Sequence, residues 1–220
     1  MASPQRTLTE REIRSAVVRR LLGSGQAGEL LIEELGVGAA RVDLALATNR
    51  LLGFEIKSDF DTLDRLARQM HAYHCVFDTL TIVTTKTYLS QVEALLPVWW
   101  GIWVAEATEN ATVEVREQRP ATSHDRQDPN SLAAMLWRDE AYAFVVHTLE
   151  PVVRARATRG DLQEVIAGQI PLAQIRERVL ESLRGRVDLR ARSHVAGNVI
   201  ADGKNKMVTG SISAPSHIAT

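Results

Sequence analysis

The most constraining feature of the chain is a change of hydrophobic period within residues 41–77. Two short runs, Arg41-Val-Asp-Leu-Ala-Leu-Ala-Thr and Leu51-Leu-Gly-Phe-Glu-Ile-Lys-Ser, are separated by Asn49-Arg50. Apolar runs of that length about a two-residue turn predict a β-hairpin over 41–58. From Asp61 the period becomes 3.6 residues, with Leu63, Leu66, Ala67, Met70 and Phe77 on one stripe, which predicts a helix over 61–77. A hairpin followed at once by an amphipathic helix commits the region to an α/β arrangement in which the helix covers the sheet.

The flanking segments extend that layout. Ile13, Val17, Val18 and Leu21 recur at helical spacing, with Thr9 as cap and Gly23 as stop, so the chain opens on a helix. Leu30–Gly36 reads as a strand, Leu80–Thr85 as a buried strand, and Tyr88–Leu96 as a helix ended by Pro97. Gly101–Ala107 and Thr112–Arg116 alternate and close the sheet at its edge. The expected class is α/β: a mixed sheet flanked by helices over residues 1–120. A polar linker over 120–130 leads to a helical extension over 130–190, with helices at 131–149, 161–167 and 172–183. Residues 191–220 lose apolar periodicity and are expected to be a disordered tail.

Composition excludes several classes. A net charge of −1 removes the simplest case for nucleic-acid binding, a strongly basic chain. No apolar run approaches membrane-spanning length, and the start of the chain lacks a secretory signal pattern. The single cysteine, Cys75, cannot form an internal disulfide, and the expected location is cytoplasmic with no membrane partner. Acids, however, are crowded: Glu29, Glu33, Glu34, Asp43, Glu55, Asp59, Asp61 and Asp64 lie close in sequence. Such crowding is unfavourable unless the acids are solvated or share a cation.

Asp43 on the first hairpin strand and Glu55-Ile56-Lys57 on the second form the chemically informative group. Strand alternation puts Glu55 and Lys57 on one face, and the hairpin can set Asp43 beside Glu55. Two adjacent carboxylates raise one another's pKa unless a cation lies between them, and Mg²⁺ is held by such pairs. The Ile56 backbone carbonyl is a further candidate ligand, and the Lys57 ammonium can orient or help deprotonate a metal-bound water. The competing reading is a surface Asp with a cross-strand Glu–Lys pair. Lysine is scarce here, at Lys57, Lys86, Lys204 and Lys206 among 26 basic residues, and Lys57 sits in an apolar strand, which favours a chemical role. On the next helix Arg65, Gln69 and Tyr73 stand four apart, a polar stripe that can overhang the site and fix the lysine or a substrate phosphate.

Asp43, eleven intervening residues, then Glu55-x-Lys57 resembles the signature of the PD-(D/E)xK nuclease superfamily, and Gln69-x-x-x-Tyr73 is similar to the extra motif of its RecB-like branches. With Arg41-Val-Asp-Leu-Ala, Gly53-Phe-Glu-Ile-Lys-Ser-Asp and Pro97-Val-Trp-Trp-Gly-Ile, the resemblance to small bacterial and phage members covers residues 8–118. Val42 stands where the eponymous proline would be. The resemblance implies a restriction-endonuclease-like fold and Mg²⁺-dependent hydrolysis of DNA, with Mn²⁺ able to substitute. Asp43 and Glu55 would be metal ligands, Lys57 the catalytic lysine, and Gln69 and Tyr73 supporting residues. It also implies an upstream acid: Glu34, at the end of the strand before Asp43, is chosen, with Glu33 and Glu12 as alternatives.

Other features carry less. His71 and His74 lack the cysteines or further histidines of a zinc site. Cys75 reads as a small core residue, and Trp99, Trp100, Trp103 and Trp137 as packing. The 161–183 helix pair and its arginines fit a solvated cap or a nucleic-acid clamp equally. The expected function is therefore a metal-dependent deoxyribonuclease. The alternative is a catalytically silent nuclease-fold module that binds nucleic acid or a partner protein, and a homo-oligomer is also compatible with the sequence.

Overall fold

The computed structural model describes residues 6–23, 29–149 and 156–195. Helix α1 (Glu10–Leu22) begins at a capping box: Thr9 accepts from the Glu12 backbone N–H, and the Glu12 carboxylate accepts from the Thr9 N–H at 2.9 Å. That reciprocal cap contributes about 1 kcal/mol. Strands β1 (Leu30–Val37), β2 (Ala40–Ala47) and β3 (Leu51–Lys57) form an antiparallel meander. Helix α2 (Leu66–His74) carries the chain to β4 (Thr79–Thr84), parallel to β3, and α3 (Leu89–Leu95) to β5 (Gly101–Ala107), parallel to β4. Strand β6 (Val113–Arg119) returns antiparallel beside β5. The six strands lie in sequence order, so the sheet is mixed and its edges are β1 and β6.

Each face is covered. Ile13, Val17 and Leu21 of α1 pack with Leu44, Phe54, Ile56, Val83 and Trp103 on one face. Leu66, Tyr73 and Phe77 pack with Leu80, Ile82, Trp100 and Ile102 on the other. Helices α4 (Pro129–Ala133), α5 (Arg138–Thr148), α6 (Arg159–Gln169) and α7 (Leu172–Val195) add Leu132, Val145, Ile166, Ile175 and Val179 to that second layer. The C-terminal helices thus share the core of the sheet.

Four expectations need correction. The helix expected from Asp61 starts at Leu66, because the Asp61 carboxylate accepts from the Ser58 N–H at 2.8 Å and hydroxyl at 2.6 Å and holds 58–61 as a turn. Ala67 is exposed; Leu66, Tyr73, Val76 and Phe77 are the buried residues of this segment, and Leu63 and Met70 pack half-buried against the same core. The single helix expected over 131–149 is two, and Trp137 lies in the break between them, 50% exposed rather than in the core, with the Arg186 guanidinium 4.3 Å from its ring centroid. Helix α7 runs five residues past the expected boundary at 190, and residues 196–220 lie outside the described residues.

Two local devices position the site. Gly53 on β3 has no Cβ; one added there would lie 2.8 Å from Leu80 and 3.0 Å from the Phe77 ring. Its absence lets the end of α2 close onto β3. Asp59 fastens the sheet to the segment before α1: its carboxylate accepts from the Leu8 N–H at 2.7 Å and from the Thr85 and Thr87 hydroxyls at 2.6 Å. Burial raises the Asp59 pKa, but these donors outweigh it and hold the carboxyl below its usual value.

Candidate active site

On β3, Glu55 and Lys57 point to the α2 face, as alternation requires. The Lys57 ammonium lies 2.8 Å from Glu55 Oε1, and both residues are buried, Glu55 to 2% exposure. The Tyr73 hydroxyl reaches Glu55 Oε2 at 2.9 Å and the Arg41 carbonyl at 2.7 Å, while the Gln69 amide donates to that hydroxyl at 3.3 Å. Tyr73 is therefore a core residue and a site residue at once: its ring fills the space beneath α2 and its oxygen holds a carboxylate. Burial, then repulsion from Glu55, pushes the Tyr73 phenol well above its ordinary value, so it stays a proton donor.

Asp43 lies where the hairpin ladder opens. Pairing of β2 with β3 ends at Leu44↔Phe54, and the Asp43 carboxylate takes the Ile56 N–H at 2.7 Å. It is the N–H of Ile56, then, that the structure ties to the site. On β1 and β2 the inside–outside alternation slips by one residue at this level: Leu30 and Ile32, then Leu35 and Val37, face the α2-side core. Val42 faces that same core, while Leu44 and Leu46 face the α1 side. Glu34 absorbs the slip with φ +57°, a left-handed conformation that costs a non-glycine residue about 1–2 kcal/mol. Backbone strain of this kind persists where surrounding contacts over-determine it. Here those contacts are the Glu34 ion pairs with Arg14 at 2.9 Å and Arg41 at 2.6 Å.

One carboxylate oxygen each from Glu10, Glu34 and Asp43 lie within 4.8 Å of one another. Of the upstream acids weighed from sequence, Glu34 joins Asp43. Glu12 is engaged in the α1 cap, and Glu33 lies 3.8 Å from Arg14. Glu10 and Arg14 were missed, since only the packing of α1 over the β1–β2 irregularity brings them to the acids; their i,i+4 spacing was the available signal. Burial, then repulsion from Glu55, pushes Asp43 up to about 7, against the opposing pull of the Ile56 N–H and Arg14. Asp43 and Glu55 thus sense one another, while each has a different cation at hand.

These residues line a cleft of about 750 Å³, with Glu10, Glu34, Asp43, Glu55 and Lys57 inside and Arg41, Arg65 and Arg68 among its walls. Gln69 also lines it, and Gln69 Oε1 is buried without a hydrogen-bond partner. His74, Trp99 and Trp100 pack together. The Trp100 indole donates to His74 Nε2 at 2.9 Å, and burial together with His124 and Arg126 pulls His74 down to about 4. Arginines of the C-terminal helices are tied to the protein itself: Arg176 to Asp78, Arg186 to Glu140, Arg159 and Arg184 to backbone carbonyls. Among the described residues no helix is long and apolar enough to cross a membrane.

Fold and cleft together define a mixed α/β protein with a buried acid–lysine pair at the bottom of an arginine-walled pocket. Over residues 3–209 the chain matches the bacteriophage P4 protein cII family, and it belongs to that family. It is 28% identical over 182 residues to protein cII of Enterobacteria phage P4, across 81% of this chain and 68% of the phage protein. No solved structure matches it.

Proposed function

We propose that the protein is a metal-dependent nuclease of the PD-(D/E)xK kind that hydrolyses phosphodiester bonds of DNA. The observation that carries this reading is the convergence of Asp43, Glu55 and Lys57 in one cleft, with Gln69 and Tyr73 of α2 behind them and Arg65 and Arg68 along its wall. The donor set suits Mg²⁺ or Mn²⁺: it is made of hard carboxylate oxygens, and the orphaned Gln69 Oε1 adds an acceptor without a partner. Asp43, Glu55 and Glu34 would hold the ion, with the Ile56 carbonyl as a further ligand. Bound there, a divalent ion supplies Lewis-acid polarisation and a more acidic water.

The protein's own contributions follow from the geometry. Lys57, anchored on Glu55, presents the remaining N–H donors of its ammonium toward the cleft, where they orient a water or a phosphate oxygen. Tyr73 and Gln69 fix the far side of Glu55, so that its carboxylate cannot rotate away. The arginines of α2 attract the polyanion and offset the acids at the floor. The test is incubation of the purified protein with linear, circular and single-stranded DNA in Mg²⁺ or Mn²⁺. Metal-dependent products that vanish with Asp43→Ala are expected; intact DNA in every case would reject the reading.

One observation favours a second reading, a catalytically silent module that binds nucleic acid or a protein: Lys57 and Arg14 already neutralise the acids. Calorimetry with Mn²⁺ separates the two, since a silent module takes up no metal at this site.

A further inference from the structure

The side chain that engages three acids of the cleft is not itself part of its lining. Arg14 of α1 places Nη2 2.9 Å from Glu34 Oε1 and 3.3 Å from Asp43 Oδ1, and pairs with Glu10 through the same nitrogen. Those are the three carboxylates that converge within 4.8 Å. Nη1 donates to the Asp43 carbonyl at 2.9 Å and lies 3.8 Å from Glu33. The side chain is only 16% exposed, so its guanidinium is held among the acids and does not drift through solvent.

We infer that Arg14 is the resident counter-cation of the site, seated between Glu34 and Asp43 until a divalent ion displaces it. The inference rests on the nuclease reading for the metal, but the arginine's place among the acids stands independently. Three converging carboxylates repel one another, and a cation must offset that repulsion for the fold to keep them together. A guanidinium does so with a planar fork, so that here one nitrogen meets the carboxylates while the other holds the Asp43 carbonyl. A metal ion held by Glu34 and Asp43 needs two of the carboxylates that Arg14 occupies, so the two cations compete. The anchor at the Asp43 carbonyl and the nearby Glu33 give the guanidinium a neighbouring seat, and exchange requires a side-chain rotation without movement of α1. The device keeps the acids in place before metal arrives, at the cost of weaker metal binding.

The experiment is Mg²⁺ titration of the full-length chain by calorimetry at pH 8.5, so that a proton does not take the arginine's place. Wild type, Arg14→Gln, Arg14→Lys and Arg19→Gln are compared, each with its Tm with and without Mg²⁺. If the arginine-free arrangement is populated about one time in ten, Arg14→Gln binds Mg²⁺ about tenfold more tightly than wild type. Its metal-free Tm falls, and its rise in Tm on adding Mg²⁺ exceeds that of wild type. Arg14→Lys, with a shorter reach and no fork, also binds more tightly than wild type, and it decides the matter should Arg14→Gln not fold. Arg19→Gln removes the same charge from the same helix at a position bonded to the Val113 carbonyl, and leaves affinity unchanged. Equal or weaker Mg²⁺ binding in both Arg14 variants, with normal binding in wild type, overturns the inference alone. No Mg²⁺ binding in any of them overturns the nuclease reading and this inference with it.

Discussion

Asp43→Asn should make the metal-free protein more stable at pH 8. The Asp43 carboxyl moves from 3.8 to about 7 on folding, because it is largely buried and faces Glu55. A raised carboxyl means that the folded state binds the proton more tightly than the unfolded chain. The associated stability is present below about pH 4 and is lost as pH rises to 7, with no further change above. Three pH units correspond to about 4 kcal/mol as an upper bound. Asparagine keeps an oxygen for the Ile56 N–H but carries no charge, so it should recover roughly 2–4 kcal/mol at pH 8 and little at pH 4. In a chain of this size that is a rise in Tm of roughly 5–10 °C, readable by circular dichroism in EDTA. Saturating Mg²⁺ should reverse the order, raising wild type and leaving the variant unmoved. A variant no more stable than wild type at pH 8, or a difference that is the same at both pH values, would refute the reasoning.

Tyr73→Phe removes a buried hydroxyl from Glu55 and from the Arg41 carbonyl, so urea unfolding should show a loss of about 2–3 kcal/mol; a loss under about 0.5 would make the phenol incidental. Gly53→Ala sets a Cβ against Phe77 and Leu80 and should cost about 1–3 kcal/mol, with weaker DNA cleavage as α2 moves off Glu55. Gln69→Ala should reduce cleavage while its Tm stays close to wild type. A drop in Tm as large as that of a Leu66→Ala control would make Gln69 structural.

Much of this was legible because the periods are clean. The 41–58 hairpin, the order of sheet and helices, and the shared face of Glu55 and Lys57 all follow from alternation and spacing. The slip at Glu34 and Asp43 was not legible, because apolar residues lie on both faces of β1 and β2 and the pattern reads the same through the break. Tyr73 was placed on a polar stripe, yet it is fully buried; an aromatic ring with a polar tip serves both layers, and periodicity cannot divide it. Trp137 was placed inside because tryptophan usually is, whereas the break between α4 and α5 turns it outward against Arg186. Arg14 offered only its i,i+4 spacing from Glu10, because its other carboxylate partners are twenty and twenty-nine residues away in sequence.

The measurement that bears most directly on the central claim is the single-turnover rate of Mg²⁺-dependent DNA cleavage by wild type and Lys57→Ala. Lys57 shares a buried ion pair with Glu55, so the variant should lose about 3 kcal/mol of metal-free stability, and both proteins must be assayed where circular dichroism shows them folded. Prepared side by side, wild type should cleave and the variant should be slower by about 10² or more, since the ammonium acts in the chemical step. Equal rates in the two preparations would contradict the account, for the cleavage would then belong to something other than this site.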